Sequence, residues 1–288
     1  MKLLRYGPPG AERPGLLDET GTLRDLSARI PDLAGPALDP AALDRLRALD
    51  PATLPVVPGT PRLGPCIATP HNIHCIGLNY RKHAADVGLP IPPEPILFSK
   101  ATSALAGPTD PIQRPQGATK LDYEVEVALV IGRRTEQVSE RKAPDCIAGF
   151  CAFNDVSERA WQFERQGQWL KGKSAPGFAP TGPWLVTPDE IADPQALTLF
   201  LDVNGETRQL SSTADMIFSM AEIVAYLSRF LVLLPGDIIA TGTPEGVAMG
   251  MDPPEWLVPG DEVHLGVTGL GEQTQRVIDG AASQEQPG

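Results

Sequence analysis

Hydrophobic residues fall in short runs along most of the chain, and only a few helical patterns interrupt them. The runs are IHCIGL, PILFSK, EVEVALVIG, IAGFCAFND, PWLVT, LTLFLDVNG, DIIATG and DEVHLGV. Short apolar runs bounded by turn residues are typical of strands. Because these strands do not alternate regularly with helices, the pattern disfavours a barrel or a doubly wound fold. It favours a mixed α+β, β-rich domain with helices at its edges.

Helical patterns interrupt the strands in three segments of the sequence. The first is NYRKHAADVG, which Gly88 ends. The second is SERAWQFERQG, with Ser157 as a capping residue and Gly167 as the stop. The third is SMAEIVAYLSRF, in which Ser219 and Glu222 have the spacing of a capping box.

Residues 1–65 differ in pattern from the rest. LLRYG and PGLLDETGTLRDLS predict short strands, and DPAALDRLRAL predicts a helix capped by Asp39 with Pro40 at its first position. The prolines of PATLPVVPGTPRLGP then exclude regular structure. We therefore predict a small N-terminal α/β domain and linker over 1–65, followed by a larger domain over 66–288.

Composition and charge narrow the class of protein. The chain has 288 residues, 42% of them hydrophobic and 21% charged, which is ordinary for a globular protein. The net charge of −12 argues against nucleic acid or an anionic membrane as a partner. The N-terminus has no pattern of a secretory signal, no run is long enough to span a membrane, and the four cysteines form no CxxC pair. We expect a cytoplasmic protein.

The run LDYEVEVALVIG contains two glutamates, Glu124 and Glu126, in an otherwise apolar strand. Side chains at i and i+2 of a strand share a face, so the two carboxylates lie side by side. An edge strand with one solvated face explains this spacing without any function, and the spacing alone favours that explanation slightly. A shared metal ion is the alternative, because it would remove the repulsion between the carboxylates.

A third carboxylate strengthens the explanation by a shared metal ion. Asp155 ends the strand IAGFCAFND directly before a helix, which is a common place for a functional site. If the strands are neighbours, Glu124, Glu126 and Asp155 form a cluster with oxygen ligands alone. Such a cluster favours Mg²⁺, then Mn²⁺, then Ca²⁺.

In combination, the motifs of the chain resemble one known family. They are CIGLNYRKHAADVG, EPILFSK, DYEVEVALVIG, CAFNDVSERAWQ, QWLKGKS, VNGETRQ, MIFSMAEIVAYLS and PGDIIATGTPEGV. Together they resemble the fumarylacetoacetate hydrolase family over roughly residues 70–280. The N-terminal part is similar to the leading domain of bacterial members that act on diketo sugar acids. The resemblance implies a β-roll of mixed sheets with peripheral helices, and a homodimer.

The resemblance also assigns roles to residues. It makes Glu124, Glu126 and Asp155 the metal ligands, and His83 with Asp86 the catalytic dyad. It implies that Lys173 is a cation facing the substrate, that Arg159 and Gln162 line the pocket, and that Thr243 binds the substrate carboxylate.

Each of these roles has a structural alternative in the residues themselves. His83 and Asp86 lie three positions apart on one helix face, where Asp86 can orient His83 as a base, or both are simply solvated. Arg159 and Gln162 line a pocket or form an exposed polar face with Trp161 and Phe163 turned inward. The loop of Lys173 closes over a ligand or is an ordinary turn. The TGTP segment offers backbone N–H groups and hydroxyls to an anionic group, or is a plain turn.

The resemblance implies a metal-dependent hydrolase that cleaves a carbon–carbon bond of a 2,4-dioxo acid. The substrate would be a 2,4-diketo-3-deoxy sugar acid or an acylpyruvate, and the product pyruvate or a related 2-oxo acid. The family usually has Glu where this chain has Asp86. Because the side chain of Asp86 is shorter, its presence slightly favours reactions in which no water attacks the substrate. Those alternatives are an oxaloacetate decarboxylase or tautomerase and a 2-hydroxyhepta-2,4-diene-1,7-dioate isomerase. A ureidoglycolate lyase and a metal-bound scaffold without turnover complete the alternatives.

Overall fold

A computed structural model describes residues 1–280, which form a sheet-rich, mixed α+β fold with few helices, as the sequence predicts. The strands are β1 (Lys2–Tyr6), β2 (Arg13–Leu17), β3 (Leu23–Asp25), β4 (Ile73–Gly77), β5 (Ile96–Lys100), β6 (Leu105–Ala106), β7 (Ile112–Arg114), β8 (Leu121–Asp122), β9 (Val125–Ile131), β10 (Ile147–Asn154), β11 (Ser157–Glu158), β12 (Ala179–Pro180), β13 (Leu185–Val186), β14 (Thr198–Val203), β15 (Glu206–Ser212), β16 (Ile238–Ala240), β17 (Glu262–Val267) and β18 (Gly271–Asp279). The α-helices are α1 (Pro40–Arg47), α2 (Arg81–Asp86), α3 (Arg159–Phe163), α4 (Leu170–Lys173) and α5 (Met220–Leu227). Within these residues, no helix is long and apolar enough to cross a membrane.

Two sheets contain most of the strands. The larger has nine strands in the order β3-β2-β1-β13-β10-β9-β16-β4-β5, and the smaller has five in the order β15-β14-β17-β18-β7. The pairs β4–β16, β7–β18 and β6–β12 run parallel, and neighbours such as β9–β10 and β14–β15 run antiparallel. The sheets are therefore mixed, as the family resemblance implies.

Strands β9 and β10 lie at the centre of the larger sheet, and all their residues are buried. Buried glutamines of the smaller sheet contact this centre: the side-chain oxygen of Gln209 accepts a hydrogen bond from Val125 N at 3.0 Å, and Gln273 Nε2 donates to Ala152 O at 2.9 Å. Glu124 and Glu126 are only 5% and 2% exposed. The alternative of an edge strand with a solvated face is therefore wrong, because the strand is covered on both sides.

The N-terminal residues extend the larger sheet. β1 pairs with β13 in antiparallel register, with Leu3 opposite Leu185. Leu3 belongs to the same buried cluster as the centre of the sheet. The capping of α1 by Asp39, with Pro40 at the first position, is confirmed. The boundary at residue 65 stays a prediction.

Two helix starts are informative. The capping box of Ser219 and Glu222 is confirmed at the start of α5. The prediction that Ser157 caps the helix after Asp155 is wrong, because β11 pairs with β8 and keeps Ser157 extended. Glu158 caps α3 instead, accepting a hydrogen bond from Ala160 N at 3.1 Å.

Candidate active site

Three carboxylates converge at one end of the central strands. Glu126 is in β9, Glu124 comes just before it, and Asp155 directly follows β10. The antiparallel register brings Asp155 beside Glu124, and Asp155 N donates to Glu124 O at 2.9 Å. One carboxylate oxygen from each residue lies within 4.8 Å of the others, and all three residues are buried. The sequence predicted the cluster; the strand register forms it.

Two lysines neutralise part of this negative charge. Lys173 Nζ, from α4, donates to Glu124 Oε2 at 2.6 Å and to Asp155 Oδ2 at 2.7 Å. Lys100 Nζ, from the end of β5, donates to the other oxygen of Asp155 and to Val156 O at 3.0 Å. Burial acts to lower the pKa of Lys173, but the charges of Asp155 and Glu124 outweigh it and raise that pKa. Lys173 is therefore a buried ammonium inside the carboxylate cluster.

Arg159 is fixed by carboxylates on two sides. Its Nε donates to Asp122 Oδ2 at 2.9 Å, one terminal nitrogen to Glu124 Oε1 at 2.5 Å, and the other to Gln162 Oε1 at 3.0 Å. Arg159 and Gln162 are 4% and 1% exposed, whereas Phe163 is 45% exposed. The alternative of a polar surface face with Phe163 turned inward is therefore wrong. Burial alone would raise the pKa of Glu124, but the charges of Arg159 and Lys173 hold it below its usual value.

Glu126 has the environment that a cation would complete. Its Oε2 accepts a hydrogen bond of 2.8 Å from Gly242 N, and in residues 1–280 no lysine or arginine forms an ion pair with it. Burial, together with the negative charges of Asp155 and Glu124, raises the pKa of Glu126 well above its usual value. Three carboxylates, one of which has no lysine or arginine partner, suit a hard divalent ion. The residues present therefore fit a metal of this kind.

His83 lies beside the cluster, but Asp86 contacts a different partner. His83 lines the same cavity as the carboxylates, and its Nδ1 is buried without a hydrogen-bond partner in the described residues. Asp86 Oδ2 accepts a hydrogen bond of 3.3 Å from Gly246 N, and Asp86 is exposed. The dyad therefore stays a prediction. Burial lowers the pKa of His83, and the charge of Glu124 opposes this effect.

Thr243 lines the cavity as well, in the turn after β16. Its Oγ1 donates to Val125 O at 3.0 Å and accepts from Gln209 Nε2 at 2.8 Å. These bonds hold the turn against β9, so that Gly242 N reaches Glu126. Binding of a substrate carboxylate by Thr243 stays a prediction.

The cavity that these residues share has a volume of about 120 Å³. Sequence reasoning missed Asp122 and Lys100, which hold Arg159 and Asp155. Asp122 had a signal, since it precedes Glu124 by two positions and extends the same alternating row of acidic residues. The sequence signal for Lys100 was weaker: it is a charged residue at the end of the apolar run PILFSK.

The family that the motifs suggested is also the one that most of the chain matches. Residues 72–278 match the fumarylacetoacetate (FAA) hydrolase C-terminal family. The chain belongs to this family. A relative from Burkholderia cenocepacia, named only as a hydrolase, is 55% identical over 280 residues, covering 97% of this chain and 99% of the relative.

Two solved structures show the range of reactions among proteins of this shape. A maleylpyruvate hydrolase from Sphingobium sp. SYK-6, in complex with manganese(II) and pyruvate, has a TM-score of 0.79 and 28% identity, covering 98% of this chain and 100% of that chain. A 2-hydroxyhepta-2,4-diene-1,7-dioate isomerase from Mycobacterium marinum has a TM-score of 0.74 and 32% identity, with the same coverage of 98% and 100%. The chain thus resembles enzymes of the hydrolase and isomerase types.

Proposed function

We propose that this chain is a divalent-metal-dependent hydrolase that cleaves the C3–C4 bond of a 2,4-dioxo acid and releases pyruvate or a related 2-oxo acid. The observation that carries the proposal is the convergence of Glu124, Glu126 and Asp155 within 4.8 Å, in the cavity that His83 and Lys173 also line. The manganese and pyruvate bound by the maleylpyruvate hydrolase support it. The three carboxylates would hold Mg²⁺, or Mn²⁺ or Ca²⁺ in its place. The ion would supply Lewis-acid stabilisation of negative charge on the 2-oxo acid.

His83 is the proposed general base. Its imidazole is buried, so the neutral form that accepts a proton dominates at neutral pH. It would take a proton from a water molecule whose oxygen forms a bond to C4. The C3–C4 bond then breaks, its electrons move to C3, and the fragment that contains C4 leaves as a carboxylic acid. The proton on His83 is available to return to C3, which completes pyruvate.

Lys173 and Arg159 are the proposed cations of the site. Lys173 Nζ is bonded to two carboxylates, so it reaches an oxyanion of the substrate only by exchanging one of them. Arg159 and Gln162 bond to each other at 3.0 Å and form one side of the cavity. We propose that this pair, with Thr243, orients the carboxylate end of the substrate.

A second candidate function is a reaction that needs no attacking water, such as isomerisation of a diene dioate or decarboxylation of oxaloacetate. The contact of Asp86 with Gly246 favours it, because a base that Asp86 does not orient is less suited to activating water. The likeness to the isomerase from Mycobacterium marinum supports it as well. Ureidoglycolate cleavage has no such observation behind it.

The experiment is an incubation of the metal-loaded protein with 2,4-dioxo acids, oxaloacetate, a diene dioate and ureidoglycolate. Pyruvate, carbon dioxide, the ultraviolet spectrum of the diene and glyoxylate are measured in parallel. We expect pyruvate from 2,4-dioxo acids, and loss of turnover in EDTA that Mg²⁺ or Mn²⁺ restores. Turnover that persists in EDTA would exclude the metal, and carbon dioxide or an altered diene as the main product would select the second candidate.

We propose a homodimer, which light scattering of the purified protein tests. We propose that residues 66–288 carry the chemistry and that residues 1–65 support them through the pairing of β1 with β13.

A further inference from the structure

Part of the cavity lining is apolar. This part includes Val87, Leu89, Ile96, Phe98, Phe163 and Trp169. Leu89 and Phe163 remain 53% and 45% exposed although they are large and hydrophobic. Exposed apolar side chains that continue the wall of a polar site are typical of a surface that a ligand covers.

Three of these residues form an aromatic wall: Phe98, Phe163 and Trp169. The Trp169 ring lies edge to face with Phe98 at 5.1 Å and with Phe163 at 5.7 Å between ring centroids. Gly77 makes room for it, because a Cβ atom at this position would lie 2.8 Å from Cζ3 of Trp169. Lys173 Nζ lies 5.1 Å from the centroid of the Phe98 ring, so the aromatic wall begins where the charged cluster ends.

The cations that line the cavity are already paired. Arg159 bonds to Asp122, Glu124 and Gln162, and Lys173 bonds to Glu124 and Asp155. Arg159 and Lys173 are the lysine and arginine residues of the lining within the described part of the chain. A second carboxylate, on the far end of a substrate, would therefore find no free cation among the lining residues, and contact with the apolar side chains would cost it part of its hydration.

The formal charges of the site also argue against a charged tail on the substrate. With every group in its charged form, the four carboxylates of Asp122, Glu124, Glu126 and Asp155 and the three cations Lys100, Arg159 and Lys173 sum to one negative charge. A divalent ion on the carboxylates changes this to one positive charge. The single carboxylate of a 2-oxo acid neutralises it, so an uncharged tail gives a neutral site and a charged tail does not.

We propose that the substrate is an acylpyruvate with an uncharged, apolar acyl group, and that the aromatic wall binds this group. The inference rests on the proposed function and narrows it, since it selects apolar acylpyruvates over polyhydroxylated sugar acids and over dicarboxylates. Water is the co-reactant: one C–C bond breaks, one C–O bond forms, and the products are pyruvate and an apolar carboxylic acid.

The first test measures binding and needs no turnover. Calorimetry of the Mn²⁺-loaded protein with 2-oxobutanoate, 2-oxopentanoate and 2-oxohexanoate should show affinity rising about fourfold per methylene group. 2-Oxoglutarate has the same chain length as 2-oxopentanoate but a terminal carboxylate, and we expect it to bind at least about tenfold more weakly. Equal affinities along the series, or tighter binding of 2-oxoglutarate, would overturn the inference.

The second test locates the apolar site with a matched pair of variants. Phe163→Ser removes an exposed ring of the aromatic wall, and Phe230→Ser removes a 65% exposed ring that does not line the cavity. We expect Phe163→Ser to reduce the affinity ratio of 2-oxohexanoate to 2-oxobutanoate about tenfold, and Phe230→Ser to leave it unchanged. Trp169→Leu should act in the same direction as Phe163→Ser. An unchanged ratio in both wall variants would contradict the assignment.

The third test separates this inference from the proposed function. Release of pyruvate is compared for hexanoylpyruvate, succinylpyruvate and a 2,4-diketo-3-deoxy sugar acid. The highest kcat/KM with hexanoylpyruvate supports both proposals. Preference for either of the other two overturns the apolar tail while the hydrolase stands. Absence of turnover with all three, together with the expected binding series, overturns the hydrolase while the apolar site stands.

Discussion

The carboxylate of Asp122 holds the guanidinium of Arg159 through a hydrogen bond of 2.9 Å from Nε. The same carboxylate accepts hydrogen bonds from Ala248 N at 2.9 Å and Met249 N at 3.1 Å. Asp122 is fully buried. It therefore connects an arginine of the site to the loop that carries Met249, another residue of the cavity lining.

Replacing Asp122 by Asn should weaken this connection while keeping the side-chain volume. We expect kcat/KM to fall about 10- to 100-fold, as is usual when the partner of a site residue is changed. Steady-state kinetics test this, with Asp145→Asn, an exposed aspartate, as the control. Full activity of Asp122→Asn would show that Glu124 and Gln162 suffice to hold Arg159.

Glu126 should be the residue on which metal binding depends most directly. Saturating Mn²⁺ should raise the midpoint of thermal unfolding of the unmodified chain, because a ligand at 100 times its Kd stabilises the folded state by about 2.7 kcal/mol. Glu126→Gln should abolish both this shift and activity, since the carboxamide is a weaker ligand. The exposed Glu140→Gln variant is the matched control. An equal shift in all three proteins would place the ion elsewhere.

His83 should determine the acid limb of the pH profile of kcat/KM. Burial lowers the pKa of His83 below 6.5, so the imidazole stays neutral and basic as pH falls through that value. We therefore expect activity to decline only below pH 6.5, and to be lost in His83→Gln. An acid limb above pH 6.5 would mean that a group other than His83 titrates.

The same profile tests the dyad. If Asp86 stabilises the charged form of His83, Asp86→Asn should move the acid limb to lower pH. If Asp86 acts only on the Gly246 loop, the limb should stay in place while KM changes. Lys82→Met, at an exposed position on the same helix, controls for surface charge.

Glu12 should make folding stability depend on pH. Burial acts to raise its pKa, but hydrogen bonds, including one from Arg62 at 3.0 Å, and the charge of Arg5 lower that pKa below 4.5. A lowered folded-state pKa gives stability that is present above pH 4.5 and is lost as pH falls through the folded value. Glu12→Gln should therefore cost about 1–3 kcal/mol of unfolding free energy at pH 7, and less in acid. Urea unfolding at pH 7 and in acid measures this loss of unfolding free energy. An equal loss under both conditions would contradict its electrostatic origin.

The sequence predicted those parts of the molecule that depend on local pattern. The runs that became β4, β9, β10 and β14 were recognised by their apolar residues, and the capping box of α5 by Ser219 and Glu222. The mixed α+β class followed from the order of these elements. The strand spacing of Glu124 and Glu126 and the position of Asp155 suggested the carboxylates, the family resemblance made them metal ligands, and the structure brings them together.

What the sequence did not predict depends on long-range packing. The burial of Glu124 follows from the smaller sheet, whose Gln209 bonds to Val125, and no feature of the strand itself predicts that. Lys100 meets Asp155 across 55 residues of chain, and Asp122 meets Ala248 across 126. Ser157 has the residue type of a helix cap, but its pairing with Asp122 overrides that preference.

The absence of a side chain at Gly77 has a consequence for how this protein can diverge. The indole of Trp169 lies 2.8 Å from the position that a methyl group on residue 77 would take, so a single substitution there displaces part of the aromatic wall. Among the hydrogen bonds and ion pairs of residues 1–280, Glu124, Glu126 and Asp155 have no direct bond to Gly77 or Trp169. Related proteins can therefore differ at this position and in substrate preference, while they retain the three carboxylates and the reaction.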